Sequence, residues 1–245
     1  MDAYLTDDYL ELFRGLERLG PGSADDTRRA LALLPAAPNR RVLDIGCGTG
    51  PAARLLAAHT AAEIVALDDH APNLDTLQRL STGQPWAGRI GVCHASMRAI
   101  PFPEAHFELL WAEGSAYLMG FEAALKSWRR LLEPGGHLVV SDLVWRDHPP
   151  APLARAFWQD DYPDMRDTET RLAQARAAGY RPRAHFELSA AAWAHYYQPL
   201  AANLQALRPR LGHRAAWQAI DNEIEVWRRH GEDFAYVMMV LQREA

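Results

Sequence analysis

Cysteine is scarce in this chain of 245 residues, which contains only Cys47 and Cys93. Because one of them lies within a glycine-rich turn, the pair predicts neither a disulfide framework nor a zinc site. Long apolar runs are also lacking, since none reaches the roughly 18 residues of a membrane-spanning helix. Residues 1–8 are acidic and do not show the basic and then apolar order of a signal peptide. These absences predict a cytoplasmic protein that holds no metal and does not enter a membrane.

An excess of basic residues is missing as well. The chain has 26 lysines and arginines against 31 aspartates and glutamates, a formal net charge of −5. This balance gives no electrostatic reason to expect a nucleic-acid partner. Hydrophobic residues make up 49% of the chain, which at this length is enough for the core of one α/β domain. We expect a single domain over residues 1–245, and the sequence does not indicate its oligomeric state.

The most informative stretch is RVLDIGCGTG at residues 41–50. Its apolar first half is typical of a buried parallel strand. The strand opens into a turn with glycine at alternate positions: Gly46, Cys47, Gly48 and Gly50. Glycine lets the backbone turn tightly and lets a ligand approach closely, because it has no Cβ atom. Since Pro51 suits the first turn of a helix, the stretch predicts a nucleotide-type binding corner.

The spacing of these glycines limits which nucleotide is expected. A dinucleotide-binding fingerprint reads G-x-G-x-x-G, and Pro51 stands at the position of its third glycine. A P-loop would end in Gly-Lys-Ser/Thr, which is absent here. The acid-x-Gly-x-Gly-x-Gly pattern instead resembles the first motif of the class I S-adenosylmethionine (SAM)-dependent methyltransferases.

Downstream of the turn, short apolar strands alternate with helical segments. Strands are predicted at 42–45, 64–67, 90–93, 107–111, 137–141, near 184–188 and at 234–241. Helices are predicted at 7–19, 24–34, 71–81, 121–131 and 168–178, with a turn at 132–136. The alternation predicts an α/β fold with a doubly wound, mostly parallel, seven-stranded sheet.

Three segments lie outside this alternation: the amino-terminal region 1–37 and the insertions 143–167 and 189–232. The first insertion begins at the carboxyl edge of the predicted sheet, where open α/β sheets bind their ligands. We expect the three segments to form a helical lid over a cofactor-binding core at 38–142.

Further motifs extend the resemblance over residues 38–142. Pro101-Phe102-Pro103, the strand at 107–111 and Leu131-Leu132-Glu133-Pro134-Gly135-Gly136 occur in the order seen in small-molecule methyltransferases of the ubiquinone-biosynthesis type. The resemblance implies a Rossmann-like fold, SAM as cofactor and S-adenosyl-L-homocysteine (SAH) as product. It also implies a small-molecule acceptor as the partner.

A narrower resemblance, to a bacterial subgroup of these enzymes, spans nearly the whole chain and implies no particular substrate. Its motifs are Gly20-Pro21-Gly22-Ser23 with Thr27-Arg28, Trp111-Ala112-Glu113-Gly114, Ser141-Asp142, Phe157-Trp158 with Tyr162-Pro163, and Trp193 with His195-Tyr196. Both resemblances leave open whether nitrogen, oxygen, sulfur or carbon is methylated.

Three acidic residues are expected near the cofactor. Asp68 follows the second strand, 18 residues after Gly50, where a carboxylate can accept hydrogen bonds from both ribose hydroxyls. Asp69 competes for that role, and the alternative for Asp68 is a solvated loop residue. Asp44 lies in an apolar strand end, where an unpaired charge is costly. It should therefore bond to the glycine-loop amides, to the cofactor's amino group, or to both.

Further cofactor contacts are expected after the third and fourth strands. Many relatives carry an acid and an apolar residue after the third strand, where they hold the adenine. This chain has Ser96 and Met97 there, and Met97 is equally suited to filling the core. Glu113, at the end of the fourth strand, is expected close to the sulfonium.

Methyl transfer from a sulfonium depends mainly on placing the acceptor and excluding water. Glu113 is the first candidate to orient the acceptor or to remove its proton. Its alternative is a salt bridge that anchors the lid, for example to Arg28. His195 is the second catalytic candidate because it titrates in a useful range, although a lone histidine is more often a surface or packing residue.

The aromatic residues divide into two sets. Those expected to line an acceptor pocket, or to attract an ammonium through their ring faces, are Trp145, Trp158, Tyr162 and Tyr196. Those that recur at helical spacing are expected to pack the core: Trp193, Tyr197, Leu200, Leu204 and Leu207, then Trp217, Ile220, Ile224 and Trp227.

The sequence motifs of three methyltransferase subclasses are absent from this chain. The sequence after the fourth strand differs from the Asn/Asp-Pro-Pro-aromatic motif of base-amino enzymes, no Pro-Cys nucleophile is present, and no acid-Asn pair of the metal-dependent catechol type follows the fifth strand. We therefore expect metal-independent methyl transfer from SAM to a small nucleophile. The alternatives are a non-catalytic SAM-binding regulatory protein and transfer of another group, such as aminopropyl or carboxymethyl, from a SAM derivative.

Overall fold

The computed structural model of the chain describes residues 7–244. A mixed sheet of eight strands forms its centre. The strands are β1 (Arg41–Ile45), β2 (Glu63–Asp68), β3 (Ile90–His94), β4 (Phe107–Ala112), β5 (Leu132–Trp145), β6 (Arg166–Asp167), β7 (Tyr180–Glu187) and β8 (Phe234–Arg243). Their order is β3-β2-β1-β4-β5-β8-β7, with the short β6 paired beside the end of β5. Neighbours are parallel except that β8 runs antiparallel to β5 and β7, so the mostly parallel sheet is confirmed.

Helices cover both faces of this sheet. They are α1 (Asp7–Leu12), α2 (Ala24–Ala32), α3 (Pro51–His59), α4 (Ala71–Ser81), α5 (Phe121–Trp128), α6 (Pro152–Asp161), α7 (Thr168–Ala177), α8 (Ala190–Leu211) and α9 (Ala215–His230). Alternate residues of a strand point to opposite faces. In β4, Trp111 accordingly joins the apolar layer of α3, α4, α8 and α9, whereas Leu110 joins the layer of α5 and α7. This two-sided burial confirms the doubly wound fold.

Several boundaries differ from the prediction. Residues 132–136 belong to β5 instead of forming a turn, because Leu132 already pairs with Phe107 of β4. The first helix ends at Leu12 and does not continue to residue 19; Gly15 follows with a φ of 80°, a conformation that helices do not contain. β7 begins at Tyr180, earlier than predicted.

The two predicted insertions leave the sheet at its carboxyl edge. Residues 143–167 contain the end of β5, then α6 and β6, and residues 189–232 contain α8 and α9. Because β7 and β5 are both antiparallel to β8, the two strands run parallel and their insertions begin at the same edge. α1 packs against α8 and α9, which brings the amino-terminal region to this edge as well.

Within residues 7–244, every helix falls short of the length or the apolar character needed to cross a membrane.

Candidate active site

The strand order reverses beside β1. From β1 the chain builds outward to β2 and β3 on one side and to β4 and β5 on the other. Such a switch point opens a crevice at the carboxyl ends of the strands, which is where open α/β sheets bind ligands. A cavity of 510 Å³ lies there, lined by the glycine turn, by the ends of β1, β2 and β4, and by part of residues 9–21. We call it the large cavity.

The glycine turn can form only because of its glycines. Gly46 and Gly50 have φ values of 70° and 80°, in the left-handed region that side chains with a Cβ atom rarely adopt. A Cβ atom on Gly46 would lie 2.6 Å from the Cβ of Ser115. Gly50 caps α3, with Pro51 in the first turn as predicted. Gly46, Cys47 and Gly48 line the large cavity as predicted, whereas Gly50 packs against Leu77 and does not line it.

Of the two partners predicted for Asp44, the glycine-loop amides bond to other acceptors, which leaves the cofactor's amino group. The bonds are Gly46 N and Cys47 N to Leu67 O at 2.8 and 2.9 Å, Gly48 N to Asp68 Oδ2 at 2.8 Å, and Gly50 N to Cys47 O at 2.9 Å. The turn is thus tied to the end of β2. Asp44 accepts a backbone hydrogen bond from Ala53 instead.

Asp68 is built into the turn. It is 9% exposed and also accepts hydrogen bonds from His70 N at 2.9 Å and Asn73 Nδ2 at 3.3 Å. Burial raises the pKa of Asp68, and these donors oppose the rise. Because a carboxylate offers about four lone-pair sites, capacity for a ligand donor remains in the cavity that Asp68 lines. Asp69 is exposed and lines the same cavity.

We predict that Asp68→Ala weakens SAH binding by about 1.5–3 kcal/mol, because a charged hydrogen-bonding group is lost. Isothermal titration calorimetry measures the change, and Asp69→Ala is the matched control. Wild-type affinity in Asp68→Ala, together with a loss in Asp69→Ala, would assign the ribose contact to Asp69 instead.

Asp44 carries an unused acceptor. The residue is 2% exposed, lines the large cavity, and its Oδ2 has no hydrogen-bond partner among the described residues. Burial, with contributions from Glu113 and Asp68, raises the pKa of Asp44 to about 8. Since buried polar atoms are normally bonded, this orphaned oxygen fits a ligand that donates a hydrogen bond, such as an amino group.

Glu113 is held by three donors. Its Oε2 accepts from Arg18 Nη1 at 2.5 Å, and its Oε1 accepts from Thr27 Oγ1 at 2.7 Å and Trp111 Nε1 at 2.8 Å. The side chains of Arg18 and Glu113 are each 11% exposed. The structure thus shows the anchoring salt bridge with a different partner from the one predicted, since Arg28 pairs with Asp25. A catalytic role for Glu113 stays a prediction.

The segment 13–21 lies over the glycine turn. Thr49 Oγ1 donates to Glu17 O at 2.6 Å, and Leu19 Cδ1 lies 3.5 Å from the point where a Cβ on Gly48 would be. Together with the Arg18–Glu113 pair, these contacts close one side of the large cavity with the covering segment 13–21.

Ser96 and Met97 differ in their position relative to the large cavity. Met97 lines the large cavity, and its Cε lies 3.3 Å from the Cβ position of Gly46. Ser96 is not among the cavity residues, and its Oγ accepts from Arg98 N at 3.3 Å. Of the pair, only Met97 is therefore placed to cover a ligand ring.

A second cavity of 90 Å³ adjoins the first. Residues that line both are Phe13, Leu19, Gly20, Pro21, Gly114 and Tyr117. The remaining wall is mostly aromatic, with two acids: Leu143, Trp158, Asp161, Tyr162, Trp193, Tyr196, Tyr197, Glu223 and Tyr236. We call it the aromatic cavity.

Three of the four predicted pocket aromatics line this cavity: Trp158, Tyr162 and Tyr196. The fourth, Trp145, lies outside both cavities at the end of β5, where it pairs with Phe234 of β8. Its cross-strand position, rather than a pocket, accounts for its partial burial.

A buried ion pair fixes one wall of the aromatic cavity. Arg171 Nε lies 2.7 Å from Asp142 Oδ2, and the two side chains are 0% and 1% exposed. The Tyr162 hydroxyl donates to Asp142 Oδ1 at 3.0 Å and accepts from Arg171 Nη2 at 2.5 Å. Because the hydroxyl is bonded to both Asp142 and Arg171, Tyr162 contributes its ring to the cavity.

His195 is not brought to the site. It lies on an exposed position of α8 and lines neither cavity, because the neighbouring Tyr196 and Tyr197 take the buried face. A direct catalytic role has no support in this geometry.

Sequence reasoning missed Glu223 and did not predict that part of the helical stripe also borders a cavity. Trp193 and Tyr197 pack in the core as predicted, yet they also line the aromatic cavity. Glu223 of α9 lies at helical spacing among Ile220, Ile224 and Trp227. A charged residue within an apolar stripe was the available signal, because such a position is costly unless it is used or paired.

Comparisons with known proteins agree with this geometry. Residues 42–136 match the family model described as a methyltransferase domain. The chain is 28% identical over 158 residues to the O-methyltransferase resE of Aspergillus sclerotiorum, covering 63% of this chain and 60% of that protein. It is 32% identical over 135 residues to a demethylmenaquinone methyltransferase of Lactiplantibacillus plantarum, covering 54% and 56%. The chain thus spans less than two thirds of the length of these relatives.

A solved structure shares the fold over almost the entire chain. It is a SAM-dependent methyltransferase from Thiobacillus denitrificans in complex with SAH, with a TM-score of 0.83 and 15% identity, covering 98% of this chain and 99% of that one. The strand order and the glycine turn define the class I methyltransferase fold, which is Rossmann-like. Residues 42–136 match a methyltransferase domain, and the fold of almost the entire chain is the one seen in the solved SAM-dependent methyltransferase. The bacterial subgroup stays a prediction.

Proposed function

We propose that the protein binds SAM in the large cavity and transfers its methyl group to a small-molecule nucleophile in the aromatic cavity. The observation that carries this proposal is the shared wall: Gly114 and Tyr117, just beyond β4, line both cavities. Ligands in the two cavities would therefore meet at this boundary, where a group can pass from one to the other. The names of the two curated relatives, an O-methyltransferase and a quinone-pathway methyltransferase, support the reaction class.

The residues of the large cavity fit this cofactor. The orphaned Asp44 Oδ2 suits its amino group, the remaining acceptor capacity of Asp68 suits its ribose, and the Gly46 and Gly48 backbone leaves room for close approach. Met97 would cover the adenine. When bound, SAM supplies a methyl group on a positively charged sulfur that leaves as a neutral thioether.

The chain's own contribution is to position the acceptor and exclude water, which is where most of the acceleration of such a displacement arises. The covering segment 13–21 forms one side of the large cavity, and aromatic side chains form most of the wall of the smaller one. We propose that the regions 1–37, 143–167 and 189–232 act together as a lid over the 38–142 core. Cytoplasmic location, metal independence and the absence of a nucleic-acid partner stay predictions.

The test is turnover with SAM labelled in the methyl carbon, against a panel of amines, phenols, thiols and carboxylates. Label on an acceptor, abolished by saturating SAH, supports methyl transfer. Label retained on the sulfur product, with another part of the molecule on the acceptor, would indicate transfer of a different group. Binding of SAH without turnover across the panel would favour the non-catalytic alternative.

Asp44 makes the proposed binding depend on pH. With a pKa of about 8, the carboxyl of the free protein is largely neutral below pH 8, and an ammonium donor requires its charged form. Binding therefore releases a proton, so SAH affinity is expected to rise from pH 6.5 to 8.5 by about tenfold or more. Calorimetry at both pH values measures this change. Glu113, Asp68 and Arg18 carry the other charges that act on Asp44. Asp44→Asn should remove most of the dependence, and an unchanged slope in that variant would show that Asp44 is not its source.

A further inference from the structure

We propose that the aromatic cavity binds an ammonium group and that the methyl acceptor is a compact amine, with Glu223 as the residue that pairs with its charge. This inference rests on the proposed function and names the substrate class of the same site. It is carried by the composition of the cavity wall, by the bonding of Glu223 and by the size of the cavity.

The wall is built largely of aromatic rings from several elements. The lining residues Trp158, Tyr162, Trp193, Tyr196 and Tyr197 come from α6, from the turn after it and from α8, and Tyr236 comes from β8. Trp193 and Tyr197 are stacked at 6.0 Å, and Tyr236 meets Trp193 at 5.7 Å. Rings that surround a small space attract a cation through their negative faces, and indole does so best.

Glu223 has no cationic partner in this cavity, since the described lining contains no lysine, arginine or histidine. Glu223 Oε1 accepts from the Tyr197 hydroxyl at 2.9 Å, a neutral donor that leaves the charge uncompensated. Asp161 adds a second carboxylate to the same lining. A carboxylate that lines an aromatic cavity without a neighbouring cation favours a positively charged ligand. A ligand ammonium supplies that charge.

Size and titration agree with this assignment. A cavity of 90 Å³ has room for a group of a few heavy atoms, such as a primary or methylated ammonium. Burial and the proximity of Asp161 raise the pKa of Glu223 to about 7, against the effect of the Tyr197 bond. Trp158 Nε1 is also buried with no hydrogen-bond partner among the described residues, which suits an acceptor atom next to the ammonium.

The chemistry balances with these groups alone. The ammonium N–H bond breaks, and the Glu223 carboxylate takes the proton. The nitrogen electron pair freed in this way forms a bond to the methyl carbon, while the carbon–sulfur bond breaks and its electron pair stays on sulfur. The product is an ammonium with one more methyl group, and the proton on Glu223 returns to solvent.

The binding test compares choline with its neutral carbon isostere, 3,3-dimethylbutan-1-ol, by tryptophan fluorescence and calorimetry, with and without SAH. Choline cannot be methylated, so binding is read without turnover. We expect choline to bind at least about tenfold more tightly than the alcohol. Equal affinity, preference for the alcohol, or binding of neither would overturn the inference.

Variants locate the effect in the cavity. Glu223→Gln is expected to reduce choline affinity about tenfold or more while leaving SAH affinity unchanged. Glu225→Gln is the matched control, because this residue of the same helix pairs with Arg229 at the surface. Trp158→Leu should weaken choline binding, whereas Trp145→Leu, outside the cavity, should not. Loss of choline binding in both glutamine variants would overturn the role of Glu223.

Turnover separates the two proposals. With methyl-labelled SAM, N,N-dimethylethanolamine and simple primary amines should accept label, and phenol and benzoate should not. Label on phenols or carboxylates alone would leave methyl transfer intact and overturn the amine assignment. Absence of SAH binding would overturn the proposed function, while discrimination between choline and the alcohol would still report on the cavity.

Discussion

Glu113→Ala is expected to lower the free energy of unfolding by about 3 kcal/mol, because it leaves buried donors without an acceptor. Three donors converge on this carboxylate, and the pair with Arg18 is only 11% exposed on each side. The same change should release the covering segment 13–21 and weaken SAH binding. Urea unfolding and calorimetry measure the two effects.

The control lies in the same segment. Glu17 pairs with Arg54 at 3.0 Å but is 72% exposed, so Glu17→Ala should cost less than about 1 kcal/mol. Glu113→Gln then separates anchoring from proton transfer. A glutamine variant that keeps wild-type stability and SAH affinity but loses turnover would contradict the anchoring role and support the catalytic one.

The second large effect is expected at Arg171. Arg171→Leu should cost about 3–5 kcal/mol of unfolding free energy, because it leaves Asp142 as a buried, unpaired acid. Burial raises the pKa of Asp142 to about 7 even with Arg171 and Tyr162 opposing the rise. Removing the guanidinium raises that pKa further. In the variant, folded Asp142 therefore keeps its proton at pH values where unfolded Asp142 has already released it. The unfolding free energy lost through Arg171→Leu consequently grows as pH rises.

Thermal and urea unfolding at pH 5.5 and 8.0 test this expectation. Arg166→Leu is the control, since its pair with Asp164 is 45% and 42% exposed and should matter little. The double variant Arg171→Leu with Asp142→Leu should recover much of the stability, because no charge is then buried. A loss that is the same at both pH values would show that packing of Arg171 over Phe121, and not the charge of Asp142, dominates.

The site residues that could be predicted from the sequence are those that lie close together in the chain. The glycine turn, the helix start at Pro51 and the acid after β2 lie within about one βαβ unit, and each requires a particular residue type for a stereochemical reason. Asp44 and Asp68 accordingly line the large cavity as expected. The alternation of strands and helices also predicted the sheet, except for the length of β5 and the additional strand β6.

Contacts between distant segments could not be predicted in this way. Arg18 and Glu113 are 95 positions apart, and nothing in either neighbourhood selects Arg18 over Arg28. Periodicity showed which face of α8 and α9 is buried, but not that part of this face borders a cavity instead of solid core. Trp193 and Glu223 were therefore assigned to packing or overlooked, since the distinction depends on what the rest of the fold leaves unfilled.

The central claim is that the glycine turn and Asp68 form a SAM site, and one calorimetric titration tests it most directly. The purified protein is titrated with SAH and, separately, with NAD, and each titration is repeated on Asp68→Ala. We expect micromolar binding of SAH, weakened in the variant, and no binding of NAD. Binding of NAD without SAH would contradict the claim and remove the basis of every cofactor contact assigned to the large cavity.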